Sequence, residues 1–376
     1  MGYIHRRTTP ILKHFVESLQ RHHPCGYLLL ALISSVLVEA APNPCKACPP
    51  FTKGSFTIQQ YQLYPENADW DVNNCIVYFG SLFNASVAVY DPYKDSVVDI
   101  LAFAGITHNP TLHIGGVQVD QHTKLVSVVV DAAAAFNTAG QDISGDNFII
   151  KYDPAKKQVL WNKNITAVTQ GQYGGFQDIE HDPRGNTYVV GSFPGTIMKV
   201  DPQGSAVDPW FLPQQINHTK MGFSGLAATG DILLANNNED RQIYRFNMKD
   251  DKGKPELVPR TPEVSLDSTD AIYLPPRYDG KVLLIAENLK GITVLRSKDG
   301  SWKSAEHLGT VPNNSTAAQG GIVTAPVQIG DNLFMVEEFF ADPPVSGSTA
   351  GNRTSFPLVD ITSDVERLLK KTAGRR

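Results

Sequence analysis

The chain has 376 residues, is 41% hydrophobic and only 19% charged, and carries a formal net charge of −5. That length and apolar content suffice for one large all-β domain, or two ordinary ones, with a sizeable core. The acidic balance and the lack of a Lys/Arg stripe exclude a surface that neutralises a phosphate backbone, so no nucleic-acid partner is expected.

Residues 1–40 read as a secretory signal peptide. Arg21-His22-His23 precedes a short apolar run from Tyr27 to Val38, and Val38 and Ala40 are small enough for cleavage after Ala40. The run is shorter than the roughly 20 residues of a spanning helix, although an uncleaved signal anchor would use the same features. Asn-x-Ser/Thr sequons at Asn84, Asn164, Asn217, Asn313, Asn314 and Asn352 fit glycosylation in the secretory pathway. The expected location is therefore outside the cell or in an endomembrane or vesicle lumen. Of the four cysteines, Cys25 leaves with the leader. Cys45, Cys48 and Cys75 remain, with neither a thioredoxin-like context nor a second pair of zinc ligands. One disulfide is expected between the irregular Cys/Pro-rich segment 41–55 and the strand around Cys75, leaving one thiol over.

From residue 56 the sequence is periodic. Phe56–Tyr64 reads as a strand bounded by Pro65. Apolar strands then recur at Ile76–Phe79, Leu125–Val130, Thr187–Val190, Ile232–Ala235, Val282–Ala286 and Leu333–Val336. Their starts lie about 45–60 residues apart, the period of four-stranded propeller blades. The clearest unit is Gly174–Gly204, three short strands separated by Asp182-Pro183-Arg184-Gly185 and Phe193-Pro194-Gly195 turns. The strand after each apolar strand echoes too, ending in Asp91-Pro92, Asp153-Pro154 and Asp201-Pro202 in the first three units. The expected fold is all-β: a six-bladed β-propeller over residues 56–365. Its ring is closed by Phe56–Tyr64 sharing the last blade with Leu358–Ile361, because an open ring would leave exposed edges. Ser363-x-x-Glu366 resembles a helix capping box, and 366–376 reads as a basic C-terminal tail.

In a propeller the innermost strands line a central channel. Repeat phase places His113, Gln177, Asp178, Ser224, Asp270 and Gln319 at strand starts around one mouth. It places Ser81, Asp131, Ser192, Asn236, Asn237, Glu287, Asn288, Glu337 and Glu338 at the adjacent strand ends. Several carboxylates facing one channel cannot all stay ionised unless a cation or a proton is shared. Two chemistries follow: a Ca²⁺ site with Asp131, Asn236, Asp270 and Glu287 as oxygen donors, and an acid/base pair with one carboxyl kept protonated. As turn formers facing water, the same residues would do neither. His113 is placed to reach the channel, whereas His181 reads as a solvated turn residue. Trp70, Phe176, Phe193, Phe223, Phe339 and Phe340 either wall an apolar pocket or pack between blades. Signatures of nucleotide-binding loops, zinc proteases and serine nucleophile elbows are missing.

The segments PNPCKACPPF, GGFQDIEHDPRGNTYVVGSFPGTI, FSGLAATGDILLANN and QGGIVTAPVQIGDNLFMVEEFFAD resemble those of a fungal family of six-bladed propellers. That family is typified by protein fourteen of the trichothecene toxin gene cluster, and the likeness runs from about Ala41 to the C-terminus. More distantly the chain is similar to gluconolactonase and strictosidine-synthase propellers. The resemblance implies sesquiterpenoid mycotoxin biosynthesis: acid/base-catalysed loss of an allylic hydroxyl from a trichodiene-derived triol, with ring closure by another hydroxyl. On that reading Asp178, Asp270, Glu287, Glu337 and His113 are the catalytic candidates, with Asp178 foremost. Trp70, Phe176, Gln177, Phe193, Phe223, Asn236, Asn288 and Gln319 are the substrate-binding candidates. No cofactor is expected, with Ca²⁺ the alternative. The calcium-dependent lactonase pattern lacks its first-blade Glu, only Asp69 and Asp71 being visible there. The expected partner is a hydrophobic small molecule, with no stable membrane insertion after leader cleavage and a monomeric chain. The competing functions are a non-catalytic secreted binding propeller, associated with virulence, and a metal-dependent lactone hydrolase.

Overall fold

A computed structural model describes residues 47–373; the leader, its cleavage site and Cys45 lie outside the described residues. Tight turns built on aspartate set the local structure. Asp71, Asp91, Asp120 and Asp153 each end a strand, and their Oδ1 atoms accept the N–H groups two and three residues on. Between such turns lie short strands rich in Val and Ile, many buried on both faces; Thr187–Phe193 is buried throughout.

The strands form six sheets, each an antiparallel blade that starts with its innermost strand. Blade one holds Pro65–Asp71, Ile76–Ser81, Ser86–Asp91 and Ser96–Leu101. Blade two holds Leu112–Asp120, Leu125–Ala132, Phe148–Asp153 and Gln158–Asn164. Blade three holds Gly174–His181, Thr187–Phe193, Gly195–Val200 and Val207–Phe211. Blade four holds Phe223–Thr229, Ile232–Asn237, Gln242–Asn247 and the short Glu256–Leu257. Blade five holds Thr269–Tyr273, Val282–Glu287, Gly291–Arg296 and Ala305–Pro312, with Arg260–Thr261 added in parallel at its edge. Blade six holds Ile322–Ile329, Asn332–Glu338 and Ser355–Asp360, and its outer strand is the N-terminal Phe56–Gln59. Phe56 pairs opposite Leu358, so the ring is closed by both ends of the domain as the repeat count implied.

Around blade one the strand boundaries differ from the sequence reading. The closing strand stops at Gln59, and Pro65 opens a strand instead of ending one. The innermost strand of blade one, PENADWD, has no β-branched residue, and Trp70 alone favours a strand against Pro, Asn and Asp. It is a strand because Ala68 and Trp70 pack into the core and its backbone pairs with Ile76–Ser81.

Cys48 and Cys75 form a disulfide, with Cα atoms 5.5 Å apart, that ties the irregular segment to blade one. At the other end a helix runs from Thr362 to Ala373, so position 366 falls inside it and Ser363 lies within its first turn instead of capping it. Val365, Leu368 and Leu369 pack against blades five and six, and Glu366 accepts a hydrogen bond from Tyr278 Oη at 2.9 Å. His181 is not solvated. It is buried between blades two and three, where its Nε2 is 2.8 Å from Ser127 Oγ. Lys151 Nζ donates to the same oxygen at 2.7 Å.

Candidate active site

Near its start every innermost strand falls out of register with its neighbour. The residues that step out are Glu66, Gly115, Gln177, Ser224 with Gly225, Asp270 with Ala271, and Thr324. A bulge bends its strand and re-aims the extra side chain out of the regular alternation. Glu66, Gln177 and Asp270 thereby reach one cavity of about 300 Å³. Gly115 lets the inner strands of blades two and three approach closely: a Cβ there would lie 2.6 Å from the Cα of Gln177.

The walls are mostly apolar, formed by Leu82, Phe83, Phe136, Met221, Ile322 and Phe340. His113, Asp131 and Asn288 complete the lining as its remaining hydrogen-bonding groups, with Asn137 at the edge. Such a mixture of apolar wall and few polar groups is typical of small-molecule sites. His113 is buried, packed edge-on against Phe83 at 5.5 Å, and burial pushes its imidazole down to about 4, so it is neutral.

Three carboxyl groups share this space. Glu66 is half-buried, and its Oε2 is sealed from solvent without a hydrogen-bond partner. Burial first, and then the negative charges of Asp270, Glu338, Asp131 and Asp178, raise Glu66 well above the usual carboxylate range. Asp131 is 1% exposed, its Oδ1 has no partner, and burial raises it as well. Asp270 is pushed up only to about 6, because Asn288 Nδ2 donates to its Oδ2 at 3.0 Å and the Ala271 N–H offsets part of the burial. Glu66 and Asp131 are thus raised well above the usual carboxylate range beside Asp270, which is raised only to about 6, the kind of separation that lets one site run acid and base chemistry.

Residues 40–313 match the model of the Mal s 1 allergenic protein-like family. The chain belongs to that family. Among curated relatives it is 34% identical to trichothecene biosynthesis protein 14 of Trichoderma arundinaceum, over 86% of this chain and 92% of the relative. It is 30% identical to core trichothecene cluster protein 14 of Fusarium sporotrichioides, over 86% and 88%. Among solved structures, the Malassezia sympodialis allergen Mala s 1 superposes with a TM-score of 0.72 at 21% identity, covering 82% of this chain and 96% of the allergen. A luciferin-regenerating enzyme follows the same fold with a TM-score of 0.52 at 12% identity, covering 81% and 95%.

Within this family member the expected site residues separate into three groups. His113, Gln177, Asp270, Asn288 and Asp131 line the cavity together. Asp178 and Asn236 instead join blades. Asp178 accepts from Leu226 N at 2.8 Å, Ile179 N at 2.9 Å and Asn67 Nδ2 at 3.3 Å. Asn236 Oδ1 accepts from Gly225 N at 2.6 Å, and its Nδ2 donates to Asp270 O at 2.9 Å, fixing the backbone that carries the carboxylate.

The remaining candidates lie elsewhere. Glu287 accepts from Thr293 Oγ1 at 2.6 Å and pairs with Lys290 at 2.8 Å, away from the cavity. Glu337 is buried against Asn313, whose Nδ2 donates at 3.1 Å, and is pushed up to about 7 by burial. Gln319 is exposed on the loop before blade six. Trp70, Phe176 and Phe223 belong to the cores of the blades. Phe193 is one layer back, its ring 5.4 Å from that of Phe136, which does line the cavity.

Sequence reasoning missed Glu66, Phe83 and Phe136. Glu66 supplies the first-blade glutamate that seemed lacking, on the strand whose composition hid it. The donor set expected for Ca²⁺ does not assemble, since Asn236 and Glu287 are committed to other partners. Among the described residues no three His, Cys, Asp or Glu side chains group to hold a metal ion.

Proposed function

We propose that this chain acts in trichothecene-type sesquiterpenoid biosynthesis as an acid/base cyclase that closes an ether ring with loss of water. The observation that carries this reading is that Glu66, with an unpartnered Oε2, and Asp270, held by Asn288, line one apolar-walled cavity, burial raising Glu66 well above the usual range and Asp270 only to about 6. The names of its relatives support the pathway and leave the step to the chemistry of the site.

Glu66 donates its proton to the allylic hydroxyl of a trichodiene-derived triol, and the carbon–oxygen bond breaks with its electron pair leaving in water. A second hydroxyl of the same molecule attacks the allylic carbon, and Asp270 takes the proton it releases. The balance is one ether bond formed and one water lost. A proton passing from Asp270 to Glu66 restores the starting state. The apolar walls fold the substrate so that both ends meet, the largest gain open to an intramolecular reaction, and the aromatic faces of Phe83 and Phe136 accommodate cationic character at the allylic carbon. Every step uses the chain's own residues.

We also place the protein in the secretory pathway as a monomer. The Cys48–Cys75 disulfide supports an oxidising compartment. Asn217, Asn314 and Asn352 are exposed, whereas Asn84, Asn164 and Asn313 already use their Nδ2 in hydrogen bonds at 3.0, 2.8 and 3.1 Å. Glycans are therefore expected on the first three. The test of function is incubation of the purified chain with the triol, with and without chelator. A product one water lighter, formed in both cases, is expected; no conversion would remove the cyclase reading.

A further inference from the structure

Asp131 is used neither by the fold nor by the reaction above. It stands on the second strand of blade two, directly opposite His113 in the antiparallel register, and both side chains line the cavity. It is 1% exposed and its Oδ1 has no hydrogen-bond partner. Buried polar atoms are almost always paired, so an orphan in a ligand cavity points to a partner that the chain itself does not supply. His113 does not supply a cationic partner, because it is buried and neutral against Phe83. A buried carboxylic acid has one O–H to donate and oxygens that accept. Its natural complement is an uncharged oxygen, either hydroxyl or ether.

We propose that Asp131 anchors an oxygen of the substrate remote from the reacting carbon, so that the cavity selects an uncharged, oxygenated terpenoid over its hydrocarbon parent. This rests on the cyclase reading for the substrate, but assigns a binding role instead of a step in the chemistry.

The test is calorimetric binding of a trichodiene-derived triol and of trichodiene to the full chain and to D131N and D131L, alongside steady-state kinetics with the triol. A site built to hydrogen-bond an oxygen discriminates steeply once its own partner is removed. D131L is expected to weaken triol binding and raise KM by about tenfold or more, with kcat changed far less and trichodiene binding unchanged. D131N, which still donates and accepts, should retain most of the affinity. Melting curves show whether each variant is folded, and D131A, smaller and equally unable to hydrogen-bond, carries the test with the same expected losses if D131L is not. Triol affinity in D131L within about twofold of wild type, or equal losses for both ligands, would overturn the anchor. So would failure of the wild-type chain to bind the triol. Asp131-dependent binding without conversion refutes the cyclase and keeps the anchor. Conversion with an unchanged KM in D131L refutes the anchor and keeps the cyclase.

Discussion

Glu66 and Asp178 both sit on innermost strands and both have lost much of their water, yet their oxygens have different company. Asp178 and its neighbours in the deeper tier are fully capped. Asp178 Oδ2 accepts Leu226 N from blade four, Asp69 Oδ2 accepts Val119 N of blade two at 2.8 Å, and Glu180 Oε1 accepts Ala228 N at 3.1 Å. Each of these carboxyls crosses a gap between blades and pairs a backbone donor that would otherwise be orphaned. Around the cavity, Glu66 at a bulged start and Asp131 near the end of the second strand of blade two each keep an oxygen with no partner. Burial raises every one of these carboxyls. A raised pKa therefore does not distinguish a staple from a reactive group here; an unpartnered oxygen on a side chain that also lines the cavity does.

The two tiers should break differently. Replacing Asp270 by Asn removes the base and should lower turnover of the triol by about a thousandfold, measured by product formation, while circular dichroism stays unchanged. Outside both tiers, C75S opens the loop between positions 27 residues apart and should cost about 3 kcal/mol in denaturant unfolding, with activity per folded molecule retained. D178A leaves the Leu226 and Ile179 N–H groups unpaired, and a loss of about 2 kcal/mol is expected in the same assay.

Acidity should separate the tiers as well. Turnover rises as pH passes about 6 and Asp270 ionises, and Glu66, which burial raises well above the usual carboxylate range, sets the falling limb at higher pH. Stability moves the other way. Folded Asp69 and Asp178 hold their protons up to about 7 and about 8, whereas the unfolded chain releases them near 4. The native state thus binds more protons over that window, and stability declines as pH rises from about 4 to 8. Thermal melts and rates recorded across the same pH series would show opposite slopes between about pH 5 and 7.

The fold was legible because the second strand of every blade is a Val/Ile/Leu run closed by a turn former. Asp91, Asp153 and Asp201 announced their turns by type alone. The site was half legible. Repeat phase assumes an unbroken alternation of two, and a single inserted residue sends the following side chains to the other face. The bulge at Gln177 brings that side chain to the cavity and leaves Phe176 packed between blades; Phe223, before the bulge at Ser224, is buried in the same manner. Glu287 and Glu337 end their strands where the phase put them, but Lys290 and Thr293 hold the first and Asn313 the second. Glu66 was hidden for a different reason: its strand has the composition of a turn and is made a strand by its partners.

The most direct test compares E66Q with D178N, two neutral replacements of buried carboxyls one tier apart. If Glu66 is the proton donor and Asp178 a staple, E66Q should lose about a hundredfold or more in kcat for the triol, and D178N should stay within a few-fold of wild type once corrected for its folded fraction. The reverse pattern, or equal losses in both, would contradict the division of labour between the two tiers.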